Sequence, residues 1–224
     1  MKETVKKILK SAGYYHSLQS AYRNLLFLFD RTYSRICFKK YKGTGFNCNV
    51  CGNAYTHFKG NFPAPENAKA IADNDVIAGF GKNILCPFCL SNARERLIIE
   101  MLKTLHLKDE KILHLSPEKN VFNFISKYAN VTTADLHPGF YKTIDKNIIE
   151  QNATKFSFAD NSFDLVIGNH ILEHIPDDVK AVQEIFRVMK NGGQAILQVP
   201  YSETITHTLE NKFIVDPKMQ SELF

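Results

Sequence analysis

Four of the five cysteines fall into two Cys-x-x-Cys pairs, Cys48/Cys51 and Cys86/Cys89, each next to a turn-forming residue, Gly52 or Pro87. That spacing lets the backbone turn so that both sulfurs of a pair reach one ion, and two pairs make a tetrahedral four-thiolate zinc site. Such a closed site has no open position for a reacting water, so its expected role is structural. A redox dithiol fits less well, because the βαβ setting of thioredoxin-like motifs is absent around these pairs. Cys37 stands alone and reads as a small apolar residue. A second set of polar residues follows apolar runs: Asn169 and His170 after Leu165-Val166-Ile167-Gly168, and Asp135 after Val131-Thr132-Thr133-Ala134. Polar groups at the carboxyl ends of buried strands are where open α/β sheets bind ligands. Asp135 lies roughly twenty residues beyond the turn after Leu115, the distance at which dinucleotide-type folds place a ribose-binding carboxylate.

Regular elements must hold these groups. Residues 158–200 contain a buried strand, a helix and a second buried strand, Ala195 to Val199. Pro176-Asp177-Asp178 is a helix-start signal, with carboxylates at the positive end of the helix dipole. Val179, Val182, Ile185, Phe186 and Met189 recur at helical spacing, and Asn191-Gly192-Gly193 is the expected stop. Strand, helix and strand at this spacing form a βαβ crossover with parallel pairing. Upstream, Lys111 to Leu115 predicts the first strand, residues 120–128 a helix, 131–134 a second strand, and 147–150 a short third strand. Residues 92–105 predict a linking helix with Leu97, Met101, Leu102 and Leu105 inward. Residues 60–79, with Pro63, Pro65 and Asn74, read as a loop. Near the N-terminus, residues 2–10 and 16–37 read as helices, the second carrying Leu18, Tyr22, Leu25, Leu26 and Phe29 on one face.

With 224 residues, 44% of them apolar and 23% charged, the chain has room for one large globular domain and an appendage. The expected division is N-terminal helices over 1–44, a zinc-ribbon-like module and linking helix over 45–106, and a Rossmann-like α/β domain with an open, mostly parallel sheet over 107–224. The net charge of +5 is mild, with much of the excess between Lys2 and Lys42. A solvated basic helix face is the expected reading over a surface for nucleic acid or anionic lipid. The helix over 16–37 is expected to dock its apolar face on the main domain, with weak membrane-surface contact as the sharper reading. The longest apolar run there, Leu25 to Phe29, is too short to span a bilayer, and no secretory signal is present. The expected location is therefore a reducing cytoplasm, where paired cysteines suit metal better than disulfides.

The pieces ILHLSPEKN, TADL, NATKFSFADNSFDLVIGNHILEHIPDD and EIFRVMKNGGQAILQVP, in this order over residues 112–200, resemble class I S-adenosylmethionine-dependent methyltransferases of the type 11 subgroup. The upstream CPFCLSNARERL resembles a bacterial subset with an N-terminal zinc module. The resemblance implies S-adenosylmethionine as cofactor beside structural Zn2+. It implies that Asp135, with Leu136, meets the ribose hydroxyls, for which a carboxylate is a good double acceptor. It implies that His114, Ser116 and Glu118 pass the methionine end and that Asn152, Ala153 and Thr154 meet the adenine. Asn169 and His170 would face the methyl group and acceptor, with His170 as the candidate general base. His174 reads as structural, and Glu173 and Asp177 as capping or solvated acids.

Three departures from the family pattern stand out. The first turn lacks glycines near Ser116, Glu118 and Asn120, which would limit close backbone approach to a ligand. Asn152 stands where an acid is common, so its amide oxygen would serve the adenine amino group. Residues 203–224 lack a convincing strand pair, so the sheet's last two strands are expected to be missing. The expected function is methylation of a small molecule or glycan precursor. An RNA methyltransferase is the next reading, disfavoured because the cysteine region lacks interleaved aromatic and basic runs. A non-catalytic interaction protein is the third.

Overall fold

The computed structural model describes residues 15–206 and residue 208; the helix expected over residues 2–10 lies outside them. Helix α1 spans Tyr15–Cys37. The cysteine region follows with β1 (Lys42–Asn47), β2 (Ala54–Tyr55), β3 (Lys59–Asn61), α2 (Pro65–Asp73), β4 (Val76–Ile77) and β5 (Gly81–Leu85). Helix α3 (Ala93–Leu102) leads to β6 (Lys111–Leu115), α4 (Lys119–Ile125), β7 (Asn130–Asp135), β8 (Ile149–Glu150), β9 (Phe163–Asn169), α5 (Asp178–Val188), β10 (Met189–Gln198) and β11 (Tyr201–Ser202).

Five strands form one sheet in the order β10-β9-β6-β7-β8, and every pair in it is parallel. The chain starts in the middle at β6, builds outward through β7 and β8, then crosses to β9 and β10 on the other side. Strand order therefore reverses between β6 and β9, which opens a crevice at their carboxyl ends. Helices cover both faces. On one, Ile98, Ile99 and Leu102 of α3 and Val121 and Ile125 of α4 pack on Ile112, Leu165 and Ile167. On the other, Ile185 and Val188 of α5 pack on Leu113, Leu115 and Val166. This is the expected Rossmann-like α/β arrangement.

Several local expectations need correction. In α3 the inward seam is Ile98, Ile99 and Leu102, whereas Leu97 and Met101 are about half exposed. The sheet selects the seam one position away, and a shift of one residue rotates a helix face by about 100°. In α5, Ala181, Ile185 and Val188 face the sheet, leaving Val179, Val182 and Phe186 outside. That helix ends at Val188, and Asn191-Gly192-Gly193 is a bulge inside β10, not its stop signal. Pairing with β9 begins at Met189 and resumes at Gln194, so the extra residues loop out, with Gly192 at φ +81°. Residues 60–79 are not a continuous loop, because Pro65 opens α2, a position where its missing N–H costs nothing. After β10 the chain pairs through β11 with β4 of the cysteine region, and Ser202 Oγ donates to the Asn74 carbonyl at 2.7 Å. That ladder crosses the expected division at residue 106.

Helix α1 reverses the expected polarity. Its apolar stripe points outward, and Ser20 and Ser34 are the buried positions. Ser20 Oγ donates to the Phe140 carbonyl at 2.9 Å, and Arg35 Nε donates to the Phe88 carbonyl at 2.8 Å. Small hydroxyl residues let the helix backbone approach polar loop backbone, which leucines would hold away. Among the described residues no helix is long and apolar enough to cross a membrane.

Candidate functional site

The carboxyl ends of β6, β7 and β9 bring together most of the residues singled out in the sequence. The turn after β6 is tight despite its lack of glycine, because Ser116 itself adopts φ +45°. The expected limit on close approach is thus met by a strained serine, at a cost of about 1–2 kcal/mol. Its hydroxyl donates to Asp135 Oδ2 at 2.6 Å, tying the turn to the end of β7. Asp135 Oδ1 accepts from the His137 amide at 2.6 Å. Each carboxylate oxygen keeps a further lone pair. Tyr141 reaches the same corner; burial, then the Asp135 carboxylate, push its hydroxyl pKa up. The Gln151 amide donates to the Asp135 carbonyl, so residues 152–154 sit beside this corner. Asn152 Oδ1 accepts from both the amide and the hydroxyl of Thr154 at 2.9 Å. Its oxygen is thus engaged within its own turn, unlike the free acceptor expected there. Leu136 is about half exposed at the rim.

Across the crevice, Asn169 Nδ2 donates to Glu118 Oε2 at 2.5 Å, joining β9 to the turn after β6. Arg94, on α3, pairs with Glu118 Oε1 at 3.4 Å. Behind this pair lies a second buried carboxylate. Glu95 closes a capping box with Asn92 and accepts from both the backbone and side-chain amides of Asn120. The linking helix therefore builds part of the crevice wall, a role the sequence reading did not assign to Arg94, Glu95 or Asn120. The only available signal was the Asn92-x-x-Glu95 spacing of a capping box, which reveals a helix start but not the buried neighbours.

His114 is fully buried, and burial pushes its pKa down to about 3, so the ring is neutral. The Glu118 amide approaches its Nε2 at 3.5 Å, leaving the proton on Nδ1. His114 Nδ1 and Asn169 Oδ1 are both buried without a protein partner. His170 follows β9 at φ +53°, its amide donating to the Gln198 carbonyl at 2.8 Å. Its Nδ1 lies 3.0 Å from Glu173 Oε1. Glu173 is thus the acid that orients His170 and not a solvated charge, whereas Asp177 does cap α5 by accepting from the Lys180 amide.

Burial pushes Glu118 up to about 7, aided by the nearby Glu95 carboxylate and opposed by the bonds from Asn169 and Arg94. A raised native pKa means the folded state holds a proton that the unfolded state loses above about pH 4.3. Stability from this group is complete below that pH and falls as pH rises toward 7, by about 4 kcal/mol in all. His114 has the opposite sign: its contribution is lost as pH falls from about 6.5 toward 3. Glu118→Gln should therefore flatten only the upper window. In urea unfolding from pH 5 to 8, the stability of wild type minus variant should drop by about 3 kcal/mol. A pH-independent difference would sink this reading.

The two cysteine pairs converge. All four Sγ atoms lie within 4.8 Å of one another, with Cys48–Cys89 and Cys51–Cys86 both at 3.7 Å. A tetrahedron with bonds of about 2.3 Å has edges near 3.8 Å, so the sulfur set has the dimensions of a four-coordinate metal site. The two knuckles repeat one geometry. Gly52 and Leu90, each four residues after the first cysteine of its pair, donate to the Cys48 and Cys86 carbonyls at 2.8 Å. Both residues have positive φ, +72° and +58°. Ser91 Oγ lies 3.2 Å from Cys89 Sγ and 3.3 Å from Cys48 Sγ, where its hydroxyl can support a thiolate.

Comparison with known proteins bears on the crevice. Residues 118–197 match the family described as "Methyltransferase domain". The chain is 41% identical over 64 residues to a demethylmenaquinone methyltransferase of Listeria monocytogenes serotype 4a, covering 29% of this chain and 24% of that protein. It is 30% identical over 63 residues to an uncharacterized methyltransferase of Mycobacterium sp. strain KMS, covering 28% and 25%. The chain thus spans about a quarter of the length of the curated relatives it matches. Among solved structures it is similar to a protein of Pyrococcus horikoshii OT3, with TM-score 0.42, 25% identity, and 47% and 56% of the two chains covered. It is also similar to a Haemonchus contortus phosphoethanolamine N-methyltransferase bound to phosphoethanolamine and S-adenosylhomocysteine, with TM-score 0.42, 20% identity, and 54% and 28% covered.

Proposed function

We propose that the chain is an S-adenosylmethionine-dependent methyltransferase acting on a small molecule or glycan precursor, with a structural zinc ion in its four-cysteine module. The observation that carries this reading is the corner formed by Ser116 and Asp135 beside the strand-order reversal, with Asp135 inside the stretch that matches the methyltransferase domain family and Ser116 two residues before it. Asp135, with Leu136 at the rim, would hold the ribose hydroxyls. Backbone groups of Asn152, Ala153 and Thr154 would border the adenine. His114, Ser116, Glu118 and Asn169 would surround the amino-acid end, and the orphan buried atoms His114 Nδ1 and Asn169 Oδ1 suit a ligand with both donors and acceptors.

The cofactor supplies an electrophilic methyl group on a sulfonium. The protein's part is alignment of that methyl with the acceptor, worth roughly 7–11 kcal/mol when it is complete. Glu118 would set a negative charge beside the cationic cofactor, and a cation there lowers a carboxyl pKa. His170, held by Glu173, would take a proton from an acceptor that carries one. The similarity to demethylmenaquinone methyltransferase covers too short a stretch to carry over an acceptor. Cys48, Cys51, Cys86 and Cys89 would hold zinc, and the module so closed would support α3, whose Arg94 and Glu95 back the crevice. Residues 1–44, 45–106 and 107–224 would then serve as N-terminal segment, zinc module and catalytic domain.

Calorimetric titration with S-adenosylhomocysteine tests the reading. Saturable one-to-one binding is expected. Titrating S-adenosylmethionine in buffers of different ionisation enthalpy near pH 7 should also reveal proton release from Glu118. A full chain that binds neither molecule would favour a non-catalytic role.

A further inference from the structure

The outward face of α1 is unusual. Leu18, Tyr22, Leu25, Phe29, Tyr33 and Ile36 form one stripe, each between 55% and 73% exposed. At 100° per residue these positions fall within a narrow arc, and they run along about 27 Å of helix. Ser20 and Ser34 lie on the opposite side, so the stripe is not a core face left open by a small shift in packing. Contiguous exposed apolar surface of this extent marks an interaction site.

The charges beside the stripe select the partner. Asp30 is the only acid in α1, and Lys59 Nζ neutralises it at 2.5 Å. Arg23 is exposed on the flank, Arg31 and Arg35 turn toward the protein, and Lys39, Lys40 and Lys42 follow the helix as exposed residues. Pairing with α1 of a second copy would bring these cations together with no acid to answer them. An amphipathic helix with large apolar residues on one face, an exposed arginine on its flank and exposed lysines just past its end instead fits the boundary of an anionic bilayer. We propose that α1 docks the protein on an anionic lipid surface, with the stripe sunk among the acyl chains and the lysines on the headgroups.

This placement has a geometric consequence. The inner side of α1 lies on the segment that follows Asp135, through Ser20 with Phe140 and Thr143, and Asn24 accepts from Lys119 at the start of α4. One helix diameter, about 10–12 Å, would then separate the crevice from the lipid surface. The docking proposal does not depend on the methyltransferase reading.

Vesicle flotation of the full chain tests it, with phosphatidylcholine vesicles set against vesicles containing phosphatidylglycerol. Binding should require the anionic lipid and weaken as NaCl rises from about 50 to 500 mM, because headgroup attraction is screened. Leu25→Glu/Phe29→Glu should cut partitioning at least tenfold with unchanged circular dichroism and metal content. Lys39→Glu/Lys40→Glu should cut it by about tenfold or more, at about 1 kcal/mol per basic residue. Lack of binding to anionic vesicles would overturn the proposal, as would binding indifferent to Leu25→Glu/Phe29→Glu. A dimer detected by light scattering and split by that same substitution, with vesicles left unbound, would assign the stripe to a second copy instead.

Discussion

Asp135→Ala should lower the affinity for S-adenosylhomocysteine by about 10²–10⁴-fold. Two charge-assisted hydrogen bonds to ribose hydroxyls are worth about 1.5–3 kcal/mol each, and every 1.4 kcal/mol is tenfold in affinity. A second loss adds to the first. Ser116 sits in a left-handed conformation anchored by its 2.6 Å bond to Asp135, so the truncation also frees the turn that lines the crevice. Asp135→Asn keeps one acceptor for Ser116 and should fall between wild type and alanine. Asp164→Ala is the control: this acid pairs with Lys190 at the other end of β9, and a largely solvated pair is worth at most about 1 kcal/mol. It should leave ligand affinity unchanged. Wild-type affinity in Asp135→Ala would remove the ribose assignment.

Metal removal should produce the largest change in stability. The core of the cysteine module consists of Cys48, Tyr55, Phe58 and Cys86, with a few half-buried neighbours, too little apolar surface to hold the short ladders β1–β2 and β3–β5. Structural zinc contributes an apparent 10–16 kcal/mol in small zinc peptides, so loss of the ion should unfold this module outright. Elemental analysis should find about one zinc per chain, and chelation should expose amides of residues 42–91 to hydrogen exchange. Cys86→Ser should behave like the chelated protein, whereas Cys37→Ser should keep its zinc. The damage should reach the crevice, because Asn49 donates to the Arg96 carbonyl and to Glu100, fastening the first knuckle to α3. Weaker S-adenosylhomocysteine binding after chelation would follow from loosening Arg94 and Glu95. A metal-free chain whose cysteines alkylate readily while these amides stay protected would refute the zinc assignment.

Local pattern was enough for the parallel sheet, since β6, β7 and β9 are short with apolar or β-branched centres, and each ends in or is followed directly by a polar residue. The cysteine spacing pointed to one cluster in the same local way, because a Cys-x-x-Cys turn is a property of four consecutive residues. Periodicity located α1, α3 and α5 but failed on which side each would bury. An apolar stripe states that a helix is amphipathic, while the inward face depends on what lies opposite. In α3 and α5 the sheet selected a neighbouring seam, and in α1 polar loop backbone selected serines.

The sequence by itself determined the strands of the parallel sheet, the two cysteine knuckles and the acid at the end of β7, because each is specified by residues adjacent in the chain. Only the tertiary structure decided that Arg94 and Glu95 stand behind Glu118, that Glu173 holds His170, and that Ser116 replaces a glycine by leaning on Asp135. Those pairings join segments separated by loops or by whole elements, or depend on a backbone turn that residue types do not reveal. The burial that pushes Glu118 to about 7 arises from the same packing, since desolvation belongs to the assembled crevice and to no single stretch of chain.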